Sequence, residues 1–114
     1  MVIQRGDIWW ATLPAPRGSE PGYRRPVIVV QADAFNSSRI QTVIVVAISS
    51  NLRLAQARGN VHLIPKASGL SKDSVANVSQ LITIDKRFLD VRIKRLPTRE
   101  FMLVEDGLRL ILDL

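Results

Sequence analysis

The chain has no cysteine and a single histidine, His62. The first absence excludes disulfides and thiolate zinc sites. The second removes paired-histidine acid–base chemistry within one subunit and a histidine-rich metal centre. Aromatic residues are only 5% of the chain, which weakens the case for an extended base-stacking platform. No apolar run approaches the ~18–20 residues of a membrane-spanning helix. The opening residues 1–7 also lack the charged start and apolar stretch of a signal peptide, so a cytoplasmic location away from membranes is expected. Glycine-rich phosphate loops are missing, and the acidic residues are scattered singly without metal-ligand spacing. Neither a metal nor a cofactor is expected.

What is present is a core and a positive charge. Apolar residues are 46% of 114 positions, enough for one folded domain over residues 1–114 and too many for a disordered chain. The formal net charge of +6 points towards a polyanionic partner, with nucleic acid first.

Along the chain, residues 8–13 read as a strand ended by Pro14 and Pro16. A charged loop over 18–25 empties into an apolar strand at 27–31, with Pro26 at its entrance, where proline is tolerated. Within the loop, Pro21-Gly22 suits the centre of a type II turn, where Gly accepts φ > 0. Residues 32–39 read as a loop or short helical turn, and the unbroken apolar run 42–48 as a strand buried on both faces. A helical turn fits 52–58, a strand 61–64 and a turn 68–71. Residues 74–84 alternate as one long strand or two strands with a bulge between them. Asp85 caps a short helical turn, and 91–96 read as a last strand. Thr98 reads as the N-cap of the one clear helix, 99–112, whose apolar stripe is Phe101, Val104, Leu108, Ile111 and Leu112. Gly107 weakens that helix unless close packing requires it. The class is α+β and mainly β: a small, strongly curved antiparallel sheet or barrel with a C-terminal helix.

Elimination leaves two polar groups for chemistry. Glu20, Arg24 and Arg25 sit at the loop–strand junction, and Ser49, Ser50 and Asn51 at the exit of the buried strand. Arg presents a planar fork matched to phosphate oxygens, and a hydroxyl and an amide can donate to the same group. On spacing alone, the commoner reading is a surface Arg–Glu pair beside an ordinary polar strand end. His62, mid-strand between apolar neighbours, reads as a partly exposed strand residue.

Several stretches together closely resemble the MazF/PemK family of toxin endoribonucleases. They are Arg5-Gly6-Asp7-Ile8-Trp9-Trp10, Gly18-Ser19-Glu20, Arg25-Pro26-Val27-Ile28-Val29-Val30-Gln31, Ala47-Ile48-Ser49-Ser50-Asn51, Asp73-Ser74-Val75-Ala76-Asn77-Val78, Leu81-Ile82-Thr83-Ile84-Asp85-Lys86 and the terminal Gly107-Leu108-Arg109-Leu110-Ile111-Leu112-Asp113-Leu114. The likeness runs in order along essentially the whole chain. It implies an SH3-like barrel of the CcdB/MazF kind, a homodimer, and sequence-specific, metal-independent cleavage of single-stranded RNA. Attack by the 2′-hydroxyl would leave a 2′,3′-cyclic phosphate and a 5′-hydroxyl. It also implies inhibition by an antitoxin, expected to supply an acidic, disordered C-terminal segment. Arg25 matches the family's catalytic arginine, and Ser49 stands where many members carry a catalytic threonine. Glu20 matches an acidic residue of the first loop that some members use. The histidine on which another branch relies has no counterpart here. Arg17 and Arg24 are candidates for phosphate contacts, with Ser50 and Asn51 at the strand exit. Asn36, Asn77, Ser79 and Gln80 are candidates for reading base edges. The alternatives are a non-catalytic RNA-binding barrel and a CcdB-like gyrase poison. The latter would act through a tryptophan near the C-terminus, whereas this chain ends Leu112-Asp113-Leu114.

Overall fold

The computed structural model describes residues 1–114. Apolar, β-branched runs form six strands: β1 (Asp7–Leu13), β2 (Tyr23–Val29), β3 (Thr42–Ser49), β4 (Val61–Leu63), β5 (Ser74–Asp85) and β6 (Leu89–Arg95). They make one antiparallel sheet in the order β4-β5-β3-β2-β1-β6. Three helices join them: α1 (Asp33–Asn36), α2 (Pro65–Ser68) and α3 (Thr98–Leu112). Short 3₁₀ turns occupy Leu52–Gln56 and Lys86–Phe88. Asp85 caps the second by accepting from the Arg87 backbone N–H at 2.8 Å.

The curled sheet carries core on both of its faces. On one face Ile8, Ile28, Val46, Ile48, Ala76 and Val78 pack under α3 through Val104. On the other, Trp9, Ala11, Val27, Val29, Val43 and Val45 make a second cluster with Leu89. Residues 27–29 of β2 and 45–48 of β3 are therefore buried on both sides, as their unbroken apolar runs require. The α2 turn reaches from β4 to β6 at the far edge, where Lys94 Nζ donates to the Lys66 carbonyl at 3.0 Å. The result is a curled half-barrel with one main helix.

Four expectations change. Strand β2 starts at Tyr23, not Val27, so Arg24 and Arg25 belong to the strand. Pro26 is paired with Trp10 of β1, while pairing with β3 begins only at Val27–Ala47; on its β3 side Pro26 has no ladder bond to lose. The left-handed residue of the first loop is Tyr23 (φ 58), not Gly22. Gly22 is needed for packing instead, since a methyl group there would lie 2.8 Å from both Cγ and N of Pro16. Thr98 is the first helical residue, and Pro97 takes the N-cap position, its carbonyl accepting from Phe101 N–H at 2.9 Å. The α3 stripe is also shorter than its periodicity predicts: Phe101, Val104 and Leu108 reach the core, whereas Ile111 and Leu112 are exposed.

Strand β5 is continuous but bulged. Consecutive Val46 and Ala47 pair with Leu81 and Asn77, so Val78, Ser79 and Gln80 have no partner on β3. The alternation of faces along β5 therefore breaks at this point.

Candidate active site

The site forms where the β2–β3 ladder stops. Continuing the Val27–Ala47 register by two residues on each strand sets Arg25 opposite Ser49. Side chains directly opposite in an antiparallel pair share a face, and Asn77 of β5 flanks Ala47 on that same face. A cleft of about 150 Å³ opens here, and Glu20, Arg25, Ser49, Asn77 and Gln80 contribute to its lining.

Each side chain has a local reason for its position. Arg25 Nε donates to the Gly22 carbonyl at 3.2 Å, and no ion pair or internal hydrogen bond engages its Nη1 or Nη2. Ser49 Oγ accepts from the Asn51 N–H at 3.1 Å, which leaves the hydroxyl proton free to donate. Asn51 in turn caps the 3₁₀ turn by accepting from Arg53 N–H at 3.2 Å. Glu20 accepts from the Gly18 backbone N–H, so its carboxylate is held within the first loop. Gln80, on the bulge, donates to the Ser19 carbonyl at 3.4 Å and ties that loop to β5.

A second, larger cleft of about 400 Å³ lies across the same rim, and Arg25 and Ser49 border both. Its lining includes Trp10, Arg24, Ser50, Ser71, Lys72 and Ser74. Arg24 lies over the Trp10 ring, 4.5 Å from its centroid, and its Nε is 3.7 Å from Asp90 Oδ2. Arg17 is exposed at the loop tip.

Of the residues expected at the site, Asn36 stands apart. It is buried; its Nδ2 donates to the Gln31 carbonyl at 2.8 Å and to Asp33 Oδ1 at 3.0 Å, and its Oδ1 accepts from Gln31 Nε2 at 3.0 Å. With its side chain spent on the α1 turn, it has nothing to offer a base edge. Ser79 is exposed, and its hydroxyl donates to Asn77 Oδ1 at 2.9 Å. His62 is exposed on β4, with Nε2 2.9 Å from Asp73 Oδ2. Trp10, Lys72 and Asn60 join the site region without having been singled out, because register and loop packing, not any linear motif, bring them there. Nowhere do three or more of His, Asp or Glu gather as a metal-binding group.

Residues 4–112 match the family described as PemK-like, MazF-like toxin of type II toxin–antitoxin systems. The chain belongs to this family. Endoribonuclease MazF6 of Mycobacterium tuberculosis (strain H37Rv) is 46% identical over 114 residues, all of both chains. Endoribonuclease EndoA of Bacillus subtilis (strain 168) is 36% identical over 114 residues, covering 100% of this chain and 97% of that one. Among solved structures, MazF from Deinococcus radiodurans superposes with a TM-score of 0.83 at 20% identity, covering 100% of this chain and 99% of its own. That likeness establishes the MazF fold.

Proposed function

We propose that this MazF-family endoribonuclease cuts single-stranded RNA at a short preferred sequence, without a metal, at the cleft between Arg25 and Ser49. The observation that carries the reading is the convergence of unpaired donors there: the Arg25 Nη groups and the Ser49 hydroxyl line one small cavity. Donors without an acceptor, beside a carboxylate, suit a phosphodiester with an adjacent hydroxyl.

In the reaction the RNA 2′-oxygen forms a bond to the adjacent phosphorus, and the bond from phosphorus to the 5′-oxygen breaks. The products carry a 2′,3′-cyclic phosphate and a 5′-hydroxyl. Glu20 takes the 2′-hydroxyl proton, and water supplies a proton to the departing 5′-oxygen. Arg25 stabilises the charge that builds on the non-bridging oxygens, and Ser49 orients the phosphate. Arg17, Arg24, Ser50 and Asn51 contact the flanking backbone, and Ser79 and Gln80 read neighbouring bases from the bulge. The +6 charge favours the polyanion.

The same charge suits a cognate antitoxin whose acidic, disordered C-terminal segment folds onto the basic rim. Met102, Leu103, Leu110 and Ile111 are exposed on α3, apolar surface of the kind a homodimer covers. The assembly works in the cytoplasm; no helix is long and apolar enough to cross a membrane.

The test is incubation of mixed-sequence RNA with the protein in EDTA, followed by mapping of the ends. Discrete cuts with 5′-hydroxyl ends are expected, and a 2′-deoxy residue at the cut site abolishes them. Arg25→Ala loses roughly 10²–10³-fold in kcat while staying folded. Cutting of the deoxy substrate, or intact RNA held in a complex, refutes the reading.

A further inference from the structure

We infer that Asn77 is a third donor to the scissile phosphate, and that Asn60 is the positioning residue that makes it one. The inference rests on the ribonuclease reading above. Asn60 has its amide orientation set by backbone groups of known polarity. Its Oδ1 accepts from the Val78 N–H at 3.0 Å, and its Nδ2 donates to the Leu54 carbonyl at 2.9 Å. A flipped amide would set donor against donor and acceptor against acceptor.

With Asn60 fixed, the next amide follows. Asn60 Nδ2 also donates at 3.2 Å to Asn77, so the atom facing it is Asn77 Oδ1. That oxygen accepts a second bond, from the Ser79 hydroxyl at 2.9 Å. Asn77 therefore has its acceptor occupied twice, while its Nδ2 makes no hydrogen bond within the chain. The free N–H₂ belongs to a residue that lines the same cleft of about 150 Å³ as Arg25 and Ser49. Three donors then meet one small cavity: guanidinium, hydroxyl and amide. A cavity of this size suits a phosphate group better than a nucleobase, and a donor-only amide suits a non-bridging oxygen. An unconstrained Asn could turn its carbonyl to the phosphate and repel it; the Asn60 bonds remove that state.

The experiment uses the full chain, a defined RNA containing one cut site, and saturating and sub-saturating substrate. Asn77→Ala is expected to lower kcat on the order of 10²-fold with little change in KM, as loss of one oxyanion donor does. Asn60→Asp keeps the acceptor for Val78 N–H but sets an oxygen against Asn77 Oδ1, turning Asn77 round and lowering kcat similarly. The Asn60→Asp/Asn77→Ala double variant is expected to be no slower than Asn77→Ala alone. Losses that multiply would show that Asn60 acts through fold integrity and not through Asn77, which overturns its positioning role.

A second arm needs only Asn77→Ala. Sulfur in place of one non-bridging oxygen at the cut site slows the wild-type protein for one stereoisomer, and the variant reduces that penalty. An unchanged sulfur penalty, or a shift in which base is preferred, refutes the phosphate contact. If wild-type protein leaves RNA uncut, the ribonuclease reading fails; if it cuts and Asn77→Ala matches it within a few-fold, only this inference fails.

Discussion

Gly107→Ala pits two effects against each other with opposite signs. In an exposed helix interior, Ala in place of Gly stabilises by about 1 kcal/mol. At position 107 of α3, however, the new methyl group would collide with the Gly59 carbonyl oxygen and lie 3.0 Å from its carbon and 3.1 Å from Val78 Cγ1. The atoms met are Gly59 backbone and a buried valine, not the free end of a flexible side chain, so the contact is relieved only by moving the chain. Overpacking costs about 1–3 kcal/mol, and a collision with backbone belongs at the upper end. The net is a loss of about 2 kcal/mol. For a domain of this length the unfolding entropy is roughly 0.24 kcal/mol/K, so Tm falls by about 8 °C. Helix propensity acting alone would raise Tm by about 4 °C on the same scale. Thermal unfolding followed by far-UV circular dichroism, at matched protein concentration because self-association shifts Tm, separates the two outcomes by sign. An unchanged or raised Tm would refute the close-approach argument. The displaced 59–60 segment carries Asn60, so cleavage is expected to slow in the same variant below its melting range.

Other perturbations probe the framework and its charges. Asp7 is fully buried and receives Arg92 Nε at 3.0 Å and Nη2 at 3.2 Å, so Arg92→Met strands a buried carboxylate. The expected cost is about 2–3 kcal/mol, discounted from the fully buried case because the Arg92 side chain is 46% exposed. Urea unfolding should rank Asp7→Asn as milder, and the reverse order would sink the explanation. The Arg5 backbone N–H, then the Asn36 side chain, hold the Asp33 carboxyl below its usual 3.8, helped by the Arg95 and Arg5 charges. Its folded pKa is depressed, so its stabilisation is present above about pH 4 and is lost as pH falls through the lowered value. Asp33→Asn should therefore lower the urea midpoint at pH 7 more than at about pH 2.5; an equal effect at both pH values would show that the charge contributes nothing.

How far the sequence foretold this arrangement depends on whether a feature is local. The β3 run declares itself because residues buried on both faces must all be apolar, and Asp85 declares its turn through a cap made two residues away. Strand β5 could be read as bulged or split because its alternation falters at Gln80, but only register shows which residues leave the ladder. The pairing of Arg25 with Ser49 had no signature in spacing. It depends on where the β2–β3 ladder ends, and family likeness supplied it first. Asn36 misled for the opposite reason: a polar residue in a polar stretch reads as exposed, yet Gln31 at the end of an apolar run draws it inward. Asn60 carried no linear signal, since its partners are a 3₁₀ turn and a bulge far apart along the chain.

The bulge also bears on how such a chain can diverge. Val78 is anchored in the core at 1% exposure, whereas Ser79 and Gln80 are neither ladder-paired to β3 nor buried. Under the ribonuclease reading, positions 79 and 80 can therefore vary without shifting the strand that aligns Ser49. A library randomised at those two sites should stay folded and keep 5′-hydroxyl products while altering its preferred sequences, with the rate falling where the Ser79 bond to Asn77 or the Gln80 bond to the Ser19 carbonyl is lost. Descendants of such a toxin could change what they cut and inherit unchanged how they cut.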